Sequence, residues 1–322
     1  MKKVTVIGGG TGSFIVLTGL KKYPVDLAAI ITMMDSGGST GKLRDQLGVL
    51  PPGDLRQCLV ALSEASSLWR QLFLYRFEHG DLKGHNFGNI FISALEKVSS
   101  NYDEVIETAN YVLKTKGQVI PVTFDKVHLC VEYEDGHIIK GESNIDENNT
   151  NPHRIVRAFL EPYASLNPKA KQRLEESDVI ILGPGDLYTS TIPVLLVEDV
   201  QEIIRSSKAL IIYNLNLMSK YGQTSHYTAK DHVHDITHYL GREPNIVIEN
   251  NGQIPVEIAK WYEKYQETKI VNDLHGNGFA GTIIEEDVID RNVFAKNTSD
   301  VLTRSILRHD PEKLAKILLR YI

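Results

Sequence analysis

At 322 residues the chain is long for one hydrophobic core but within reach of an elaborated open sheet, so a single domain over 1–322 is expected. A formal net charge of −6 and a pI near 6.0 supply no basic field, which argues against nucleic acid as the principal partner. No apolar run approaches the roughly 20 residues of a bilayer span, and the chain enters a strand at once without a signal-peptide core; a cytoplasmic protein with no transmembrane segment is expected.

Val4-Thr5-Val6-Ile7 is a β-branched run that predicts a buried strand. Gly8-Gly9-Gly10-Thr11-Gly12-Ser13 then turns it sharply into a helix carrying Phe14 to Leu20. Helix starts of this kind present unpaired N–H groups and a positive dipole end, which makes Gly9, Gly10, Thr11 and Gly12 candidate phosphate contacts. The run departs from Gly-x-Gly-x-x-Gly, because Ser13 holds the last position and Gly12 comes one residue early. A competing reading is that the glycines only let strand and helix pack closely.

The near-continuous apolar run Asp26 to Met34 predicts a second parallel strand and completes a βαβ unit. It ends in a second small-residue loop, Asp35 to Arg44, at the strand edge where ligands gather in such sheets. Asp35 stands where an acid would meet a ribose hydroxyl. Gly37, Gly38, Ser39 and Thr40 extend the phosphate surface, and Arg44 could grip phosphate in bidentate fashion. Pro51-Pro52-Gly53 breaks the chain, and Asp54 is expected to N-cap a helix with Leu55, Cys58, Leu59 and Leu62 on its apolar face. Helical pattern continues to Leu113. Within it, Gly84-His85-Asn86-Phe87-Gly88-Asn89 opens a helix from Ile90 to Val98 with poor helix formers, so His85, Asn86 and Asn89 serve either a ligand or an elaborate cap.

Val127 to Glu134 and His137 to Ser143, joined by Asp135-Gly136, predict an inserted hairpin. The acidic, Asn-rich stretch Asp146 to Asn151 reads as a solvated loop without chemistry. Asp178 to Leu182 returns to a buried strand and ends in a third small-residue loop, from which Gly183, Gly185, Tyr188, Thr189 and Ser190 are candidate ligand contacts. Leu210 to Tyr213 and Ile246 to Ile248 are further core strands. Asn214 and Asn216, at the end of the first of these, suit a base edge or sugar hydroxyls together with Thr189 and Ser190. His234 and His238 share a helical face, but with no zincin Glu and no nearby Cys, capping, core bonding or ligand contact suits them better than metal, and no metal site is assigned. Cys58 and Cys130 lie far apart in apolar stretches and read as core thiols. Asp310 and Pro311 are N-cap and N1 of a final helix, Glu312 to Tyr321, with Arg308 just before it. The fold expected is α/β: a doubly wound, Rossmann-like, mostly parallel sheet with a β-hairpin insertion and a helical elaboration.

GGGTGS at the start, DSGGSTGKLR (Asp35 to Arg44), PPGDLR (Pro51 to Arg56), YRF (Tyr75 to Phe77), GHNFGN (Gly84 to Asn89), GPGDLYTS (Gly183 to Ser190) and RHDPEKLA (Arg308 to Ala315) together resemble the bacterial YvcK, or gluconeogenesis-factor, branch of the CofD-like family. The resemblance implies a UDP-sugar ligand such as UDP-N-acetylglucosamine or UDP-glucose, with no obligatory cofactor. It also implies control of cell shape and envelope growth on gluconeogenic carbon sources, with room for a protein partner in envelope synthesis and for homo-oligomers. In this reading the C-terminal segment folds back over the crevice and brings Arg308 to the ligand. An alternative is a CofD-like transfer of a phospholactyl group from a guanylyl donor to a deazaflavin precursor, with Mg²⁺ held by Asp35 and Asp54. A second is an NAD-dependent oxidoreductase, for which no hydride-acceptor site is found. Three positions depart from the family pattern: Ser36 follows Asp35 where a second acid or amide is usual, Asp186 replaces Ser, and Pro311 stands where relatives often carry a phosphorylatable Thr.

Overall fold

A computed structural model describes residues 1–148, 150–276, 278–292 and 305–322. In chain order the elements are β1 (Lys3–Gly8), α1 (Gly10–Leu20), β2 (Asp26–Ile31), α2 (Gly38–Leu47), α3 (Gly53–Leu62), α4 (Ser67–Leu74), α5 (Phe87–Val98), α6 (Tyr102–Leu113) and β3 (Gln118–Pro121). An inserted lobe follows with β4 (His128–Tyr133), β5 (Ile138–Lys140), α7 (Glu142–Asp146) and β6 (Ile155–Glu161). The second half contains α8 (Pro168–Glu175), β7 (Val179–Leu182), α9 (Ile192–Leu195), α10 (Val200–Ser206), β8 (Leu210–Asn214), α11 (Ala229–Leu240), β9 (Ile246–Asn250), α12 (Val256–Glu263), β10 (Thr282–Glu286) and α13 (Pro311–Leu318).

Seven strands form one parallel sheet in the order β10-β9-β8-β7-β1-β2-β3. The β-branched runs explain its centre: Val4, Val6, Ile7, Ile30, Ile180 and Ile181 are fully buried, as strands covered by helices on both faces require. From β1 the chain steps outward through β2 and β3, then returns to the other side of β1 with β7 and steps outward again. Strand order therefore reverses between β1 and β7, which opens a crevice at their C-terminal ends. The doubly wound expectation holds.

At the opposite, N-terminal ends of β1 and β2, the sheet is locked by Arg173 of α8, whose side chain is 5% exposed. Its Nε donates to Thr5 Oγ1 at 2.9 Å, Nη1 to Asp26 Oδ1 at 2.9 Å, and Nη2 to the Val4 and Asp26 carbonyls.

The predicted hairpin is present as β4 and β5, and β6 joins it to make a three-stranded antiparallel sheet. Sequence patterning assigned no strand to β6, β3 or the edge strand β10. The 146–151 stretch is not simply solvated: Asn148 and Asn151 are buried, and Asn148 Nδ2 donates to the Tyr133 hydroxyl at 3.0 Å. Cys58 and Cys130 are free and buried, as expected. The last helix starts as predicted, with Asp310 Oδ1 accepting from the Glu312 and Lys313 N–H groups at 2.8 and 3.0 Å and Pro311 in the first turn. It packs on α1, where a Cβ on Gly19 would lie 2.3 Å from the Pro311 carbonyl oxygen. Among the described residues, no helix is long and apolar enough to cross a membrane.

Candidate functional site

The crevice above β1 and β7 holds a cavity of ≈ 210 Å³. Its floor is made where two loops meet. A Cβ on Gly12 would lie 1.6 Å from the Pro184 carbonyl oxygen, so the absence of a side chain there is what lets the first and third small-residue loops touch. This gives Gly12 a packing role that precedes any ligand contact. Gly10 opens α1 at φ +59°, a left-handed conformation suited to glycine, and leaves its N–H pointing at Asp54. Asp54 is not an N-cap: α3 starts at Gly53 behind Pro52, and Asp54 sits in its first turn, Oδ1 accepting the Gly10 N–H at 2.8 Å. The remaining first-turn N–H groups of α1, those of Thr11 and Gly12, have no intrahelical acceptors and belong to the crevice wall.

Most of the residues expected from sequence converge here. Gly9, Gly10, Thr11, Gly12, Asp35, Gly37, Ser39, Thr40, Asp54, Asn89, Gly185, Thr189, Ser190, Asn216 and Arg308 all line the cavity. Asn216 Oδ1 accepts the Gly185 N–H at 3.3 Å, fixing the β7 loop to the end of β8. Arg308 arrives with Ser305, Leu307 and His309, so the C-terminal segment does fold over the crevice.

Seven candidates do work beside the cavity instead. Gly38 only opens α2, at φ +46°. Arg44 turns away to the inserted lobe, its Nη2 donating to His128 Nδ1 at 2.9 Å and reaching the Val127 carbonyl. Asn86 is the N-cap of α5, its Oδ1 accepting the Asn89 N–H at 3.2 Å, and His85 Nδ1 pairs with Ser39 Oγ of α2 at 3.3 Å. Gly183 shapes the loop at φ +65°. Tyr188 is buried, its hydroxyl donating to Asp235 at 2.6 Å. Asn214, also buried, donates Nδ2 to the Leu182 and Gly183 carbonyls and latches β8 to β7. Polar side chains at strand ends looked like ligand groups, but at these two positions they satisfy buried backbone and side-chain partners.

Several lining residues escaped the residue-by-residue reading. Arg56 and Arg76 stand within the PPGDLR and YRF motifs, which carried the signal without a role. Glu142 and Asp146 come from α7, Asp186 from the GPGDLYTS motif, and Lys220 and Glu267 from irregular segments that no pattern marks. Glu142 Oε2 accepts the Ser36 N–H at 3.1 Å; burial, reinforced by Asp35 and Asp146, pushes its carboxyl well above the usual range. Burial also pushes Glu267 up to about 7, against the pull of Lys220. For Lys220 burial opposes the charge, yet the carboxylates of Asp146, Asp186 and Glu267 raise its pKa above the ordinary lysine value. The extra negative charge at Asp186 thus faces an ammonium. His309 is buried, which pushes it down to about 4, although its Nε2 bond to the Leu215 carbonyl favours the proton. Among the described residues, no group of three or more His, Cys, Asp or Glu side chains is placed to hold a metal ion.

The site can therefore offer backbone amides and small residues to an anion at its centre, and charged and hydroxyl-binding side chains at its flanks. The family model for "2-phospho-L-lactate transferase CofD" matches residues 4–289. A relative from Aquifex aeolicus (strain VF5) is 39% identical over 335 residues, spanning 100% of this chain and 98% of its own. "Gluconeogenesis factor" of Bacillus subtilis (strain 168) is 37% identical over 320 residues, covering 98% of this chain and 97% of that protein. The crystal structure of a Bacillus halodurans protein superposes with a TM-score of 0.89 at 34% identity, covering 99% of both chains. A crevice at the strand-order reversal, the motifs that line it and these full-length matches agree: the chain belongs to the CofD family, in its YvcK, or gluconeogenesis-factor, branch.

Proposed function

We propose that the chain binds a UDP-sugar in the crevice between β1 and β7 and acts in the cytoplasm as a regulator of gluconeogenic growth and envelope synthesis. The observation that carries this reading is the meeting of two glycine loops under the first turn of α1, an arrangement suited to a diphosphate. The name of the Bacillus subtilis relative supports the physiological half. A regulatory rather than catalytic role is supported by Ser305, Leu307, Arg308 and His309, which line the crevice just ahead of α13. A ligand that contacts this segment biases its packing, and a protein partner can read that bias. Thermal shift with UDP-glucose, UDP-N-acetylglucosamine, GDP and NAD tests the proposal, because a ligand of the native state raises the melting temperature. Stabilisation by the uridylyl sugars alone is expected; stabilisation by NAD or GDP alone overturns it.

Asp35 and Asp54 on one wall favour a second reading, the CofD-type transfer. These carboxylates suit Mg²⁺, which is bound by one or two carboxylates plus substrate phosphates and would neutralise the phosphates there. Stabilisation by a guanylyl ligand only in the presence of Mg²⁺ is the outcome that selects it.

A further inference from the structure

We propose that the acidic pole of the crevice, where Asp146, Asp186 and Glu267 surround the Lys220 ammonium, is a subsite for an uncharged, hydroxyl-bearing glycosyl group and discriminates against one that carries a carboxylate. The inference rests on the UDP-sugar reading and specifies which sugars that site takes. Lys220 Nζ lies 3.6 Å from Asp146 Oδ1 and 3.9 Å from Glu267 Oε1, and the Lys220 and Glu267 side chains are only 19% and 12% exposed. These separations attract without exhausting hydrogen-bonding capacity, since a full hydrogen bond from nitrogen to oxygen is about 2.9 Å. An ammonium only donates and a carboxylate only accepts. A hydroxyl is the neutral group that can accept from the first and donate to the second at once, and a pyranose ring presents several in a row.

A buried acceptor that lines the same cavity points to a donor-rich ligand independently of the charges. Asn89, 3% exposed, lines the cavity with Nδ2 donating to Thr40 Oγ1 at 3.3 Å, while its Oδ1 has no hydrogen-bond partner. Buried acceptors of this kind are costly until a donor reaches them, and hydroxyl or amide groups on a ligand supply donors. A uronic acid would gain one contact to Lys220 but place its charge among three carboxylates, which is how an interface rejects the wrong partner.

The test is calorimetric titration at pH 8, above the value of about 7 to which burial pushes Glu267, of UDP, UDP-glucose and UDP-glucuronic acid into the wild-type protein and the isosteric variants Asp146→Asn and Glu267→Gln, with circular dichroism to verify folding. Wild type is expected to prefer UDP-glucose over UDP-glucuronic acid by about tenfold or more, and each folded variant to narrow that preference by about fivefold, because a like charge has been removed. Equal wild-type affinity for the two sugars overturns the subsite, as does a preference kept intact in both folded variants; binding of UDP and its sugars in those cases leaves the UDP-sugar reading standing. If wild type binds none of the three, that reading fails and the subsite with it. If neither variant folds, the wild-type ratio alone decides.

Discussion

The two ends of strands β1 and β2 carry opposite kinds of polar chemistry. At the N-terminal ends, Arg173 is buried among Thr5, Asp26 and the Val4 and Asp26 carbonyls, each within hydrogen-bond distance. At the C-terminal ends, Asp35, Asp54, Glu142 and Asp146 crowd one crevice, and burial raises the carboxyl of Glu142. The same sheet thus has one end where charges are saturated by fixed partners and another where like charges are held close together. Saturated polar groups give stability and register. Crowded ones store a cost that a bound cation, proton or hydroxyl-bearing ligand relieves.

The largest effect should come from breaking the saturated end. Arg173→Ala leaves the Asp26 carboxylate and two carbonyls without their donor, and we expect a loss of about 4 kcal/mol in denaturant unfolding. A loss under about 1 kcal/mol would mean that water replaces the guanidinium and that this end is no anchor. Next comes Gly12→Val, whose side chain meets the Pro184 carbonyl and forces the two crevice loops apart. We expect about 2 to 3 kcal/mol of destabilisation together with loss of ligand stabilisation, an outcome that differs from a glycine serving the ligand alone, where stability would hold.

Glu249 sharpens the contrast by pH. It lies near the C-terminal end of β9, fully buried, with neither carboxylate oxygen partnered. Burial, with Glu285 and Asp273 nearby, pushes it up to about 7 from 4.5. Between those values the folded state binds the extra proton, so stability falls as pH rises through this window and stays lower above it. We expect a decline on the order of 2 kcal/mol between pH 4.5 and 7.5 attributable to this group, absent in Glu249→Gln. Equal slopes for the two proteins would show that Glu249 ionises normally. Arg308→Ala should cost about 1.5 kcal/mol of UDP-sugar affinity and abolish ligand-dependent slowing of hydrogen exchange in residues 305–322. Unchanged affinity and exchange would remove Arg308 from the site. The smallest effect is expected at the exposed Lys3–Glu176 pair, 2.7 Å apart beside the Arg173 lock, where Lys3→Ala should leave the unfolding midpoint unmoved.

Much of the saturated core was legible in sequence, because continuous β-branched runs between glycine loops allow few other structures. Strand β6 was not: Ile155–Glu161 carries Arg157 and the exposed Val156 on its outer side, and its pairing with β4 is decided by a lobe that local pattern does not reveal. The glycine walls of the crevice were readable for the same reason as the core, since φ and close approach restrict residue choice. Arg44 was misplaced because its partner, His128, lies 84 residues away, and helix position alone does not say which neighbour a long side chain will meet. Lys220 and Glu267 left no trace at all. They sit in irregular backbone, and what unites them is an ion pair formed across the crevice wall, with Lys220 Nζ 3.9 Å from Glu267 Oε1 and 3.6 Å from Asp146 Oδ1.

The contact between Gly19 and Pro311 has a consequence for how the molecule is made. Helix α1, whose first turn shapes the crevice, is synthesised almost 300 residues before α13, which covers it. Until then the flank of α1 that receives Pro311 and Ala315 lacks this partner, and closing so long a loop adds an entropic delay before the contact forms. Ligand binding at the crevice and completion of the fold therefore converge on the same helix, so a nascent chain gains its full binding site only when synthesis has passed residue 318.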